Sequence, residues 1–395
     1  MAEELRIDVS LPPGLHFLSA FLSMEPADSL LSIARDLGRG LVTEAVQKFI
    51  WDHCITKAQE MNHFHVPYLK NFLKKLISEV ELSQAEVLDE FYELYAHYMV
   101  SWKDENLRKE SAKISKFVSF LFPDGSLSCQ NFGKFVVPIQ CSLNMLEELN
   151  RADIQIPIFS DPGCSIWPSS LYLSELILSF PDIFSTRECF EVGSGVGLVG
   201  ICLAHVKASK IVLSDGDPST LANMKVNLEL NGLCCLSSPT ATSERTNECT
   251  QTVECIHLPW ESTSETELQA FAPHIVLGAD VIYDPICLPD LVRVLSILLR
   301  PKQIGSSTHS FPVTEHVDDQ RNDGSRGFKT SRDHPIAYIA SVIRNIDTFN
   351  RFLSLVEQAN LSMCDVTDEL KPMNLLPYMY TYNRSSIRLF TLKFK

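Results

Sequence analysis

The chain has 395 residues, 45% of them apolar and 21% charged, and its 34 Lys and Arg against 49 Asp and Glu leave a net charge of −15. That length suits two or three domains with cores of their own, and so much apolar side chain excludes disorder as the main state. The acidic balance, without any clustered Lys/Arg run, matches the phosphates of a nucleic acid poorly, so no direct nucleic-acid partner is expected.

The 12 cysteines are scattered from Cys54 to Cys364. They show neither C-x-x-C nor a Cys/His pair at metal-ligand spacing, so they read as reduced, mostly buried thiols and no metal site is expected. Glu3 and Glu4 stand where a basic targeting segment would be, and no run of about 18 apolar residues appears. The expected setting is the cytoplasm, with the nucleus open, and no membrane.

Residues 1–135 read as helical. Gly38 and Gly40 break the chain before a helix over Thr43–His53. Leu69, Phe72, Leu73, Leu76, Ile77 and Val80 then follow the spacing of one helix face. Ser83 with Glu86 reads as a capping box for a second amphipathic helix through Val87, Leu88, Phe91, Leu94, Tyr95 and Tyr98. These helices form either a domain that packs on the rest or a module for docking a protein substrate.

From residue 136 to 395, β-rich runs alternate with helical ones, the signature of a doubly wound parallel sheet. Strands are predicted at 188–192, 210–214, 252–257, 274–279, 336–343 and 386–393, and helices at 198–206, 219–230, 288–299 and 347–359. Lys302–His334 is almost without apolar residues and too long for an ordinary connection, so it reads as a disordered surface insertion.

The chemistry gathers around Glu188–Gly200. An apolar strand runs into Gly193, Ser194, Gly195 and Gly197 and then a helix start, with Glu191 two positions ahead of the first glycine. Glycines there let the backbone turn tightly and let a ligand approach the helix N-terminus. The spacing is G-x-G-x-G; position 198, where a dinucleotide fingerprint needs its third glycine, is Leu. Eighteen residues beyond Gly197, Asp215 ends the next strand, where its carboxylate can accept both hydroxyls of a ribose. Asp217, just before Pro218, reads instead as a helix cap.

With these residues in place, the last 260 or so residues resemble the seven-β-strand, class I S-adenosylmethionine-dependent methyltransferases. Trp167 in Ser165-Ile-Trp-Pro, Asn227 and Asn231, Trp260 in Leu-Pro-Trp-Glu, and Asp280-Val-Ile-Tyr283 narrow the resemblance to the protein-lysine methyltransferases with a D-x-x-Y motif. The helical extension and the Leu-Ser-Asp-Gly-Asp-Pro-Ser phrase at 213–219 point within them to enzymes acting on elongation factor 2. The resemblance implies an α/β, doubly wound seven-stranded Rossmann-like sheet with a helical N-terminal domain, S-adenosylmethionine as cofactor, and a protein substrate, elongation factor 2. It implies cofactor contacts at Trp167, Glu191, Gly193, Ser194, Gly195, Gly197, Asp215, Trp260 and Ala279. Trp167 and Trp260 are also plain candidates for core packing, and Asn227 and Asn231 for helix capping.

Transfer from a sulfonium needs a neutral amine held in line with the methyl carbon. An acid and a phenol at the end of a central strand can orient it, so Asp280 and Tyr283 are the candidate catalytic residues. A helix cap and a rim aromatic are the alternative roles. Val281 and Ile282 replace the prolines of the Asp/Asn-Pro-Pro-aromatic motif of base-methylating enzymes, and Asp284 adds negative charge that suits a cationic side chain. A small-molecule methyltransferase and a non-catalytic S-adenosylmethionine-binding protein would share the cofactor half.

Overall fold

The computed structural model describes residues 7–60, 65–105, 115–123, 134–142, 162–236, 252–301 and 334–395. The expected insertion falls outside them apart from His334. The first part is helical: α1 (Pro12–Leu22), α2 (Ala27–Leu37), α3 (Glu44–Ile50), a π-helical turn at Trp51–Ile55, α4 (Thr56–Glu60), α5 (Val66–Leu82) and α6 (Asp89–Glu105). The apolar stripe on α5 is buried at all six predicted positions.

Ser83 does not start α6. Its amide donates to the carbonyls of Glu79 and Val80, closing α5, and its hydroxyl donates to the Val80 carbonyl at 2.7 Å. Buried Gln47 holds the segment that follows, donating to the Glu86 carbonyl at 2.9 Å and accepting from the Leu88 amide at 3.0 Å. That tertiary contact outweighs the local capping signal, and α6 begins only at Asp89.

The helical reading of residues 1–135 also extends too far. Ser115–Pro123 is a strand, β1, in an antiparallel pair with β2 (Lys134–Ser142). The apolar, aromatic-rich run Phe117-Val-Ser-Phe-Leu-Phe122 suits a buried strand, and the cross-strand partner lay beyond the expected boundary.

The remaining elements are α7 (Pro168–Ser179), α8 (Pro181–Phe184), β3 (Glu188–Val192), α9 (Leu198–His205), β4 (Lys210–Asp215), α10 (Pro218–Leu230), β5 (Cys234–Leu236), β6 (Thr252–His257), α11 (Glu265–Gln269), β7 (Ile275–Ala279), α12 (Leu288–Leu298), β8 (Ile336–Val342), α13 (Ile346–Gln358), β9 (Leu361–Asp365) and β10 (Ile387–Phe394). The sheet order is β5-β6-β4-β3-β7-β8-β10-β9. Only β10 runs antiparallel to its neighbours. This is the expected seven-stranded Rossmann-like sheet with one three-residue strand, β5, added at an edge. The central strands are buried on both faces: Cys189 packs with α7, α9 and α10, whereas Phe190 and Val192 pack with α12 and α13, as parallel sheets require.

Two sets of polar contacts join the N-terminal part to the sheet. Buried Asn227 on α10 accepts from the Gln140 amide at 2.6 Å and donates to the Gln140 carbonyl at 3.0 Å and the Val196 carbonyl at 2.9 Å. Asn223 donates to the same Gln140 carbonyl and Asn231 to that of Pro138. The row of asparagines thus treats β2 as a strand edge, and neither Asn227 nor Asn231 is merely a helix cap. Glu25, fully buried after α1, accepts from the amides of Tyr380 and Thr381 and from the Thr381 hydroxyl.

Asn227→Leu keeps the volume but leaves the Gln140 amide and the Val196 carbonyl without this partner, while the Gln140 carbonyl keeps Asn223. It is expected to lower the unfolding free energy by about 2–4 kcal/mol, read by urea denaturation, with a smaller loss for Asn231→Ala.

Candidate active site

The site lies at the carboxyl edge of the parallel strands β4, β3, β7 and β8, which stand side by side in that order. Directly after β3 the backbone enters the left-handed region at Gly193 (φ 65°), Gly195 (53°) and Gly197 (84°). At Gly193 a Cβ would also come within 3.1 Å of the Val281 side chain and 3.6 Å of the Trp260 ring, and at Gly197 within 2.9 Å of Met224. The loop is therefore closed both sterically and conformationally to other residues. Ser194 fastens it: its hydroxyl accepts from the Ser214 amide at 3.0 Å while its amide donates to the Ser214 carbonyl at 2.9 Å.

Asp215 ends β4, beside this loop. Its oxygens accept from the amides of Gly195 and Asp217, each at 3.1 Å, which leaves lone pairs for two further donors. Burial pushes its pKa up, against the pull of those two amides. Asp217 caps α10, accepting from the Thr220 amide at 2.7 Å.

Glu191 is buried on β3, and its Oε2 has no hydrogen-bond partner among the described residues. Burial raises its pKa well above the ordinary carboxylate range, a hydrogen bond from Ser194 lowers it, and the charge of Asp215 raises it further. A buried carboxylate oxygen without a donor is costly unless a ligand supplies one. With Asp215 nearby, the acceptors suit a group that carries both an ammonium and a ribose diol, as S-adenosylmethionine does.

Trp260 lies against Gly193 and packs on the α12 core, so packing and site roles coincide in one side chain. Its carbonyl accepts from the Arg293 guanidinium. Trp167 is the residue just before α7, and its side chain makes no capping hydrogen bond. Ala279 is the last residue of β7, and β7 pairs with β3 in a register that matches Glu191 with Leu277 and Val192 with Gly278.

Asp280 follows, in the left-handed region at φ 53°, a strained conformation for a residue with a Cβ. Its carboxylate accepts from the Val342 amide at 3.0 Å, the Ser169 amide at 3.4 Å and both terminal nitrogens of Arg344 at 3.2 and 3.4 Å. Asp280 is not the N-cap of α12, which starts at Leu288. Tyr283 is 61% exposed. Partial desolvation pushes its pKa up, and the neighbouring Cys287, Asp215 and Asp284 push it the same way.

Arg344 and Ser169 were not among the expected site residues. Arg344 follows β8 much as Asp280 follows β7, and comparing the residues just past adjacent strands would have found it. Ser169, whose buried hydroxyl has no partner among the described residues, carries no signal in the sequence. Nine cysteines among the described residues are free thiols, whereas Cys234, exposed at the start of β5, is disulfide-bonded. Among the described residues no helix is long and apolar enough to cross a membrane.

Comparison with known proteins matches residues 152–308, less than half of the chain, to the lysine methyltransferase family model. An uncharacterized protein of Dictyostelium discoideum is 30% identical over 245 residues, covering 58% of each chain. The human protein-lysine N-methyltransferase EEF2KMT is 29% identical over 58% of this chain and 60% of its own. The protein of that name from Bos taurus is 26% identical over 96% of both chains. The chain thus spans less than two thirds of the length of the first two relatives. The matched stretch, residues 152–308, carries the glycine loop, Asp215 and Asp280.

Proposed function

We propose that the protein is an S-adenosylmethionine-dependent protein-lysine N-methyltransferase acting on elongation factor 2 in the cytoplasm. One observation carries the reading: β3 and β7 are direct neighbours in register, so the glycine loop with Glu191 and the Asp280 corner emerge side by side. The family match and the bovine relative of equal length support the activity, and the D-x-x-Y motif with the 213–219 phrase supports the substrate.

S-adenosylmethionine supplies a methyl group on a sulfonium. Asp215 holds its ribose, Glu191 takes its ammonium, and Trp167, Trp260, Ala279 and the loop enclose the rest. A free lysine, with a pKa of about 10.4, is almost wholly charged at neutral pH, so the amine must be positioned and deprotonated before attack. Asp280 receives and aims the nitrogen, and Tyr283 at the rim accepts a second hydrogen bond from it through the phenol oxygen or packs on the lysine stem. Helices α1–α6 are built into the enzyme body, since the Glu25 contact with Tyr380 and Thr381 joins them to the segment leading into β10.

Asp215→Ala is expected to weaken S-adenosylmethionine binding by about 1.5–3 kcal/mol, the scale of a hydrogen bond to a charged group; unchanged affinity in calorimetry would remove the ribose role. Asp280→Asn keeps the shape and tolerates the left-handed backbone, and it should reduce methyl transfer by at least about 10²-fold with little change in donor affinity. Both are measured with labelled donor on purified elongation factor 2, followed by intact mass and peptide mapping. Label found only on other proteins would leave the reaction class and remove the substrate; label in the small-molecule fraction alone would remove both.

A further inference from the structure

The best-formed cation contact at the site is made by the protein with itself. The side chain of Asp280 is only 3% exposed, whereas that of Arg344 is 44% exposed. The amides of Val342 and Ser169 hold the carboxylate from within, and the guanidinium covers its outer side. The guanidinium carbon also stands 5.3 Å from the centre of the Trp167 ring. A carboxylate beside an aromatic face is the chemistry that receives an organic cation.

Three features make the arginine the exchangeable member. Its contacts of 3.2 and 3.4 Å exceed the roughly 2.7–2.9 Å of a tight charge-assisted bond. It extends from the short connection between β8 and α13, whose neighbours Ile343 and Ile346 are exposed, so its withdrawal opens no core. Asp280 is anchored to two backbone amides and cannot move to meet a ligand elsewhere.

We propose that Asp280 and Trp167 form the binding site for the substrate lysine's ammonium, and that Arg344 is its internal occupant, displaced when a protein substrate docks. This rests on the methyltransferase reading above. An occupied site discriminates: a lone cation must compete with a tethered guanidinium, while a lysine presented by a folded partner brings further contacts. The exposed apolar side chains of Tyr283, Ile286, Ile343 and Ile346 beside the site offer them. Arg344 is thereby a specificity residue for protein-bound over free lysine.

The test compares the full-length protein with Arg344→Ala, using a short lysine peptide, elongation factor 2 and added methylguanidinium. For the peptide, KM should fall about tenfold, the gain when a site open roughly a tenth of the time becomes always open, with a smaller change for the protein substrate. Methylguanidinium should inhibit the variant competitively with the lysine substrate at concentrations that leave the wild type unaffected. If Arg344 serves only to position Asp280, the signs reverse: kcat falls and methylguanidinium restores it, which overturns the proposal. Should the alanine variant lose its fold, judged by melting temperature and donor binding, Arg344→Gln is read by the same signs. If the wild type methylates no lysine at all, the methyltransferase reading fails separately. Calorimetric binding of methylguanidinium to the variant but not to the wild type then still supports the occupied cation site, and equal or absent binding overturns it.

Discussion

A carboxylate taken out of water must be met by donors, and four are buried among the described residues: Glu25, Glu175, Glu191 and Asp280. Three are met from within the chain, and each joins elements distant in sequence. Glu175 on α7 accepts from the amides of Leu375 and Leu376 at 2.7 and 3.1 Å and from the Tyr382 hydroxyl at 2.9 Å, and pairs with Arg384 at 3.2 Å. Glu25 takes the next turn of the same segment. Burial raises the pKa of both despite these donors, so the long connection between β9 and β10 is held by groups that are themselves costly to bury. Breaking such a pair from one side is severe.

Glu191 is the exception, with one oxygen left unmet, and the exception falls at the candidate cofactor site. A fold that satisfies its other buried acids and leaves one open has stored an interaction for a ligand. Asp280 is the intermediate case. It is fully satisfied, but by a partner that reaches in from solvent, and its left-handed backbone adds strain that the contacts to Val342 and Ser169 offset.

The asparagines of α10 couple the two halves in another way. By hydrogen bonding to Gln140 on one side and Val196 on the other, Asn227 ties the hairpin of the N-terminal part to the loop that would cradle the cofactor. The stacking of Phe135 on His205, with ring centres 3.8 Å apart, adds a second joint on the same side of the sheet. The hairpin is thus positioned by the same helix, α10, that Asp217 caps beside the glycine loop.

Much of this was legible in residue order. The repeating strand and helix patterns located β3, β4, β6, β7, β8 and β10 within a residue or two, because periodic burial is written locally along the chain. The glycine spacing with Asp215 marked the turn after β3 and the acid beside it, because only glycines accept that turn and strand ends bring acids to it. The signals that failed were local ones overruled from afar: Ser83 looked like a cap until Gln47 held the segment after it, and the apolar run of β1 could not be told from a buried helix segment without β2. Likewise the sequence marks Asp280 but not what occupies it. Arg344 lies 64 positions away, and the two can be matched only once β7 and β8 are known to be neighbours. Only the parallel pairing of β7 with β8, which sets Ala279 opposite Ala340, carries both to one edge, since an ion pair needs a few ångströms of approach and that distance is decided by the sheet.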